Sequence, residues 1–495
     1  MFSNTLAITP SIRKGATMPK SLPSGKSIFM PFLLALFTLT TTSAWCQDNA
    51  TSKSITYEVS SESIATADNA PKDKQHKKYS CTIKVCSNGF IVTKENQTLI
   101  YDCDRKRITT LNPDKKTYSD ISLYADPAFR VAELKNRLAL GEMLKKTGAE
   151  VAGVSFDPVY ASCTFGIKPS SGLNSDEIKR KEKDKEVTYT YKDSVLDKFT
   201  TGTRSLNKDE MFGFSRFLIY CCRLFPDART EIVNSGMLPS SFMFTTQNVP
   251  QPTVTEVYVL KSVKDLPVDL QIPSGFKPEF DKKDILKPVY ARLEQLGKTP
   301  PSNVREKTVQ EVEAALKAHN VLDAFLTALE YGLQTGDQGS DIIRTIKDDI
   351  PSDPMAQSFL IGLRAPKDSA TAKESLRALD SIDRTNLKKG YLLDIFRANL
   401  ITTMQFNGEK KIETTGESSP VKSFINVLTI NPYITGAYID LGKIFYEDYD
   451  TPSAWRCWDI ARSLYPKHTL LTEVYELEAN LEKQHPEFFK EKPGN

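Results

Sequence analysis

The chain runs to 495 residues with 65 Lys and Arg against 62 Asp and Glu, a formal net charge of +3, and 40% of it is hydrophobic. The positive excess lies in the first 44 residues, with Arg13, Lys14, Lys20 and Lys26 and no acidic residue, so the remainder is nearly neutral and offers no basic field for nucleic acid. The length is enough for two or three domains with cores of their own.

Residues 1–44 have the parts of a signal peptide: basic residues, the apolar run Ile28–Phe37, and Thr42-Ser43-Ala44 as a small-residue cleavage site before Trp45. Met18 is an alternative start. The competing reading is a membrane anchor, but the run is shorter than the ~20 residues that a span needs. Lipidation at Cys46 would place the bulky Trp45 where a small residue belongs. The expectation is therefore a soluble, exported, periplasmic protein. Residues 45–77 are polar and predict a disordered segment.

From Lys78 the pattern changes to a period of two, within a domain expected over 78–277. Asn88-Gly89 is a hairpin dipeptide between Cys81–Cys86 and Phe90–Thr93, Thr98–Cys103 and Arg107–Leu111 follow, and Asn112-Pro113-Asp114 turns the chain into Lys116–Tyr118. This predicts an antiparallel meander. A helix follows, with Asp126-Pro127 as cap and first-turn proline, Val131, Leu134, Leu138, Gly141 and Leu144 on one face, and Gly148 as its stop. Further strands are predicted at 187–191, 241–246 and 253–262. A second helix starts at the cap Asn207 with Glu210 in the capping-box position, its apolar face being Met211, Phe214, Phe217, Leu218, Cys221 and Phe225. The lysine-rich runs 72–78 and 179–185 are mixed with acids or lie in polar linker, and predict solvated loops.

The series LIYDCDRKRITTLNPDKKTYSDI, with the closing VDLQIPSGFKP, resembles the bacterial lipoprotein localisation factor family and its relatives over about 78–277. That resemblance implies a curved antiparallel half-barrel closed by helices, with a groove for an acyl chain or an apolar peptide. It carries over no ligand residue. Phe214, Phe217 and Phe225 at helical spacing are read as core rather than pocket.

Residues 278–302 read as a linker with one helix over 283–296, and 303–495 are helical throughout. Candidate helices cover 341–350, 354–363, 369–382, 388–404, 420–430 and 469–483. The stretch 435–468 resembles one complete tetratricopeptide repeat, matched at Tyr438, Leu441, Gly442, Phe445, Ala454, Trp458, Ala461 and Pro466. In such a repeat, two antiparallel helices would close where Gly442 meets Ala454 and Ala461. Shifting back by one repeat places Pro432, Phe424 and Val427 at the positions of Pro466, Trp458 and Ala461, with an insertion at 407–419. The fold class is thus α+β: an N-terminal antiparallel, half-barrel-like sheet with packed helices, then a tetratricopeptide-like helical solenoid.

No catalytic, cofactor-binding or metal-ligating residue is expected. The four histidines, His76, His319, His468 and His485, lack a ligand partner at metal spacing and read as surface residues. Gly25-Lys26-Ser27 only imitates the end of a phosphate loop. Of the eight cysteines, Cys81 and Cys103 would lie about 10 Å apart across the meander, too far for a bridge, and Cys457 reads as a buried thiol. The first expectation is a non-enzymatic, exported bacterial binding protein or scaffold whose solenoid holds a protein or peptide. The alternative is a carrier that shields a lipid or acyl chain in the N-terminal domain. An enzyme ranks last.

Overall fold

A computed structural model describes residues 52–64, 75–148, 156–169, 177–246, 253–279, 284–364, 369–406 and 419–489. The leader expected over 1–44 and the insertion at 407–418 lie outside the described residues. The protein is α+β, with an open sheet in its N-terminal half and helices through its C-terminal half.

Twelve strands form one sheet: β1 (Lys53–Ile64), β2 (Gln75–Cys86), β3 (Gly89–Lys94), β4 (Gln97–Asp102), β5 (Arg107–Asn112), β6 (Thr117–Ser122), β7 (Ile178–Lys183), β8 (Glu186–Tyr191), β9 (Ser194–Thr200), β10 (Ser241–Thr246), β11 (Thr253–Asp265) and β12 (Lys277–Pro278). Their order is β12-β6-β5-β4-β3-β2-β1-β11-β10-β9-β8-β7. Every pairing is antiparallel except the short β12 on β6.

Strand β1 and the start of β2 correct the disordered segment expected over 45–77, of which 45–51 and 65–74 lie outside the described residues. Strand β1 is the seam of the sheet, paired along its length with β2 on one side and β11 on the other. Ile55, Tyr57 and Val59 point into the core and are fully buried. The Ser, Thr and Glu residues between them point outward, so a polar average conceals a period of two. The expected loop at 179–185 is likewise β7, an edge strand whose exposed Lys and Arg discourage pairing with another chain. Asp184-Lys185 and Lys192-Asp193 turn the β7-β8-β9 hairpins, each pair with positive φ. Those turns lack glycine, which is why β9 is hard to read from sequence.

Four helices belong to this half: α1 (Ala125–Thr147), α2 (Pro158–Phe165), α3 (Lys208–Cys221) and α4 (Pro226–Ser235). Helix α1 ends as expected on a left-handed Gly148, but its N-cap is Tyr124. Asp126 instead lies in the first turn and pairs with Arg130 at 2.8 Å. Helix α3 has the full Asn207–Glu210 capping box. Phe214, Phe217 and Leu218 are fully buried against the sheet, with Phe217 edge-on to Phe90 at 6.0 Å. A Cβ at Gly213 would lie 2.6 Å from the Gly89 carbonyl oxygen, so the helix backbone rests directly on the β2-β3 turn. Phe225 is buried but lies beyond α3, at the cap of α4.

The C-terminal half holds α5 (Lys287–Leu296), α6 (Val304–Lys317), α7 (Val321–Thr335), α8 (Ser340–Ile346), α9 (Pro354–Gly362), α10 (Ser369–Asp380), α11 (Leu393–Phe406), α12 (Pro420–Ile430), α13 (Thr435–Glu447), α14 (Thr451–Leu464) and α15 (Thr472–Gln484). Successive helices pack as hairpins, α6 with α7, α9 with α10, α11 with α12 and α13 with α14. Within α13-α14 the matched repeat positions are buried, apart from the exposed Pro466. The neighbour that requires Gly442 is Trp458, not Ala454 or Ala461. A Cβ there would come within 2.3 Å of the indole nitrogen, which donates to the Ile439 carbonyl at 3.2 Å.

The two halves are joined by the chain's own C-terminal end. After α15, a short turn over Pro486–Phe488 buries Phe488 and Phe489 against the sheet domain. Tyr220 donates to the Phe488 carbonyl at 3.0 Å, and Arg216 to the carbonyls of Pro486 and Phe489. Arg130 lies over the Phe488 ring and Lys106 over the Phe489 ring. Nearby, Arg107 pairs with Asp459 at 2.6 Å, and Thr451 donates to the Ala125 carbonyl at 2.7 Å. The stretch expected as a linker is also packed, since Leu286 and Val289 are fully buried and Asp284 pairs with Arg456 at 2.7 Å.

Two predictions follow from these contacts. Phe488→Ala and Phe489→Ala should each cost on the order of 3 kcal/mol in denaturant unfolding, as large-to-small core changes do. Both should also speed protease cleavage between the halves.

The second prediction concerns Asp197, buried on β9. One of its carboxylate oxygens accepts the Phe225 amide at 2.6 Å and the other has no hydrogen-bond partner among the described residues. Burial pushes this carboxyl up to about 8. The native state therefore holds the proton more tightly than an unfolded chain titrating near 3.8. Its stabilising contribution is complete in acid and is lost as pH rises toward about 8. Thermal unfolding of Asp197→Asn across that range should give a midpoint above the parent's at alkaline pH, with the difference shrinking as pH falls from about 8 to about 4 and constant below that.

Candidate functional site

Two cavities stand apart from the packed core. The first, about 450 Å3, is a groove in the helical half between the α6-α7 hairpin and the start of α11, with the end of α12 as its rim. Ala314, Ala315 and Ala318 form one wall and leave room by their small size. The opposite side is polar. Glu330 on α7 accepts from Lys389 at 2.6 Å, from the Tyr391 hydroxyl, and from the Asn431 carboxamide at 2.7 Å. Lys389 also reaches Glu311 at 3.1 Å, and its amide donates to Asp323 at 2.8 Å. Burial disfavours the Lys389 ammonium, yet Glu330 and Glu311 outweigh it and hold the group above the ordinary lysine value. Ile430, 51% exposed, stands on the rim.

The second cavity, about 560 Å3, opens at the end of the sheet's inner face, beyond α3. Lys94 donates to the Tyr258 hydroxyl at 2.9 Å and lies over the rings of Tyr79 and Tyr258. Tyr258 in turn donates to Glu256 at 3.1 Å, and Tyr79 donates to the other oxygen of the same carboxylate at 3.0 Å. Burial opposes the Lys94 charge, but the Cys221 and Cys222 thiols, Glu256 and Tyr79 raise its pKa above the ordinary lysine range.

Neither cavity is lined by the eight repeat positions, which serve the core of the helical half. His76 and His319 are exposed, as expected. His468 corrects that expectation: it is 3% exposed, its Nε2 lies 3.2 Å from the Leu333 carbonyl, and burial lowers its pKa. Cys81, Cys86, Cys103, Cys163, Cys221, Cys222 and Cys457 are free thiols, with Cys457 buried. Among the described residues no group of three or more His, Cys, Asp or Glu is placed to hold a metal. No described helix is long and apolar enough to cross a membrane.

The polar clusters escaped the sequence reading because their members lie far apart along the chain: Glu330 and Asn431 are 101 positions apart, Lys94 and Tyr258 164. One local signal existed. Lys94 follows Phe90 and Val92 at inward positions of one strand, a break in an apolar stripe.

No family model matches the sequence, and no curated protein matches it. Among solved structures, one described as lipid–protein interactions in lipovitellin aligns at a TM-score of 0.16 and 9% identity. The alignment covers 83% of this chain and spans little more than half, 56%, of that one. A likeness this slight carries neither a fold nor a ligand across.

Glu330 is the keystone of the groove. Removing it by Glu330→Ala leaves the Tyr391 and Asn431 donors without their acceptor and the Lys389 ammonium with Glu311 alone, and should cost on the order of 3 kcal/mol in chemical denaturation. Lys389→Met with Glu330→Gln together should cost less than Glu330→Ala alone, because no buried charge is then left unpaired.

Proposed function

We propose that the protein is a non-enzymatic binding protein or scaffold of the bacterial cell envelope, and that its helical half holds a peptide or protein partner. The observation that carries this reading is the groove beside α6 and α7. It combines a wall of alanines, a fixed set of polar groups and an exposed rim residue, the mixture of space and oriented hydrogen bonding that a peptide backbone with small side chains can use. The hairpin succession and the tetratricopeptide-like packing of Trp458 on Gly442 support it, since stacked helical hairpins present continuous grooves. Export rests on the leader-like residues 1–44.

The competing carrier reading needs apolar room inside the sheet domain. There the inner face is occupied by Phe214, Phe217 and Leu218, so an acyl chain would have to displace side chains.

One experiment separates the two. A photo-crosslinking residue at Ile430, in the full chain expressed in a bacterial envelope fraction, should give a discrete crosslinked protein that disappears when Ala314→Trp fills the groove. A stoichiometric lipid released on denaturing the purified protein in native mass spectrometry, with no crosslinked product, would overturn the peptide-binding reading in favour of the carrier.

A further inference from the structure

The inner face of the sheet changes chemistry along its strands. Under α3 it is apolar, with Tyr57, Ile83, Phe90 and Val92 fully buried. Farther along, the inward positions become Ser61 on β1, Tyr79 and Lys77 on β2, Lys94 on β3, Gln97 on β4, Asn112 on β5 and Glu256 on β11, because side chains two apart share a face. These residues line the cavity of about 560 Å3 described above. That size falls within the roughly 300–1,000 Å3 of small-ligand clefts.

Three features narrow the ligand. First, an ammonium group has three donors, and the only hydrogen-bond acceptor the described residues give Lys94 is the Tyr258 hydroxyl. The chain Lys94 to Tyr258 to Glu256, braced by Tyr79, fixes that ammonium beside the cavity with donating capacity to spare. Second, the lining mixes carboxamides and hydroxyls with the carboxylates of Glu95, Asp114 and Glu256. Against Lys77 and Lys94 those acids leave the lining one negative charge in excess, so it repels a compact dianion or a polyanion and admits a single carboxylate, placed at Lys94. Sugar hydroxyls, which donate and accept at once, can use carboxylates and amides alike. Third, Leu111 is the one aliphatic residue of the lining, which disfavours an acyl chain.

We propose that this open end of the sheet binds an acidic saccharide, with its carboxylate on Lys94 and its hydroxyls on Gln97, Asn112, Ser61 and Thr110. The site is independent of the helical groove, so it stands or falls separately from the partner-binding reading.

Isothermal titration of the full chain with cellobiouronate, a disaccharide with one carboxylate, and with cellobiose as the uncharged control, tests the assignment. Cellobiouronate should bind saturably and at least tenfold more tightly than cellobiose, and the affinity should fall as salt is raised because the decisive contact is ionic. Lys94→Met should weaken binding tenfold or more. Gln97→Ala, at an exposed position that leaves the sheet's hydrogen bonds intact, should weaken it a few-fold with an unchanged melting temperature. Absence of saturable binding to cellobiouronate, equal affinity for cellobiose, or binding indifferent to Gln97→Ala would overturn the proposal. Gln97→Ala keeps the test decisive should Lys94→Met fail to fold.

Discussion

Helix α3 is held from two directions, and the joining of the two halves depends on it. Its inner face, Phe214, Phe217 and Leu218, fills the hollow of the sheet, and Gly213 lets its backbone settle against the β2-β3 turn. Its other side presents Arg216 and Tyr220, which receive the backbone carbonyls of the C-terminal turn. Two aromatic rings follow those carbonyls into cover. Burying apolar rings while pairing the polar backbone that accompanies them avoids the cost of an unsatisfied carbonyl, which at such a site is comparable to the value of a hydrogen bond. A helix in the middle of the chain is thereby clamped to the last described residues, and the helical half takes its position from that clamp.

The same arrangement explains where the open chemistry lies. The apolar cover of α3 does not extend to the end of the sheet, and there the inward positions turn to Lys94, Glu256 and their tyrosines. In the helical half, the groove persists because alanines line α6 where larger side chains would close it. Lys389 is paired with two carboxylates, the condition under which partly buried charges are tolerated, while Lys94 has one hydroxyl acceptor and two aromatic faces. Asp197 is the exception: it meets only one amide, and burial answers by raising its affinity for a proton.

Much of this architecture was legible in local pattern. The meander from β2 to β6, the capping box of α3, the Gly148 stop and the α13-α14 hairpin are short-range features whose determinants lie within a few residues of one another. The readings that failed did so for physical reasons. Strand β1 is polar on its outward face, so composition outweighed its alternation. The turns around β8 use Asp and Lys at positive φ where glycine was the expected marker. Asp126 looked like a cap but lies two residues past it and pairs with Arg130 instead.

The sequence alone determined the class of the protein, antiparallel strands followed by helical hairpins, because periods of two and of about 3.6 are written into neighbouring side chains. It also determined which helix of the repeat would need a glycine. Only the tertiary structure decided what that glycine faces, that β1 is the seam of the sheet, and that Phe488 and Phe489 close the interface. The polar clusters around Glu330 and Lys94 belong to the same category. The side-chain hydrogen bonds of Glu330 and Lys94 span 59 to 164 positions and form through packing, for which the chain carries no local periodic signal.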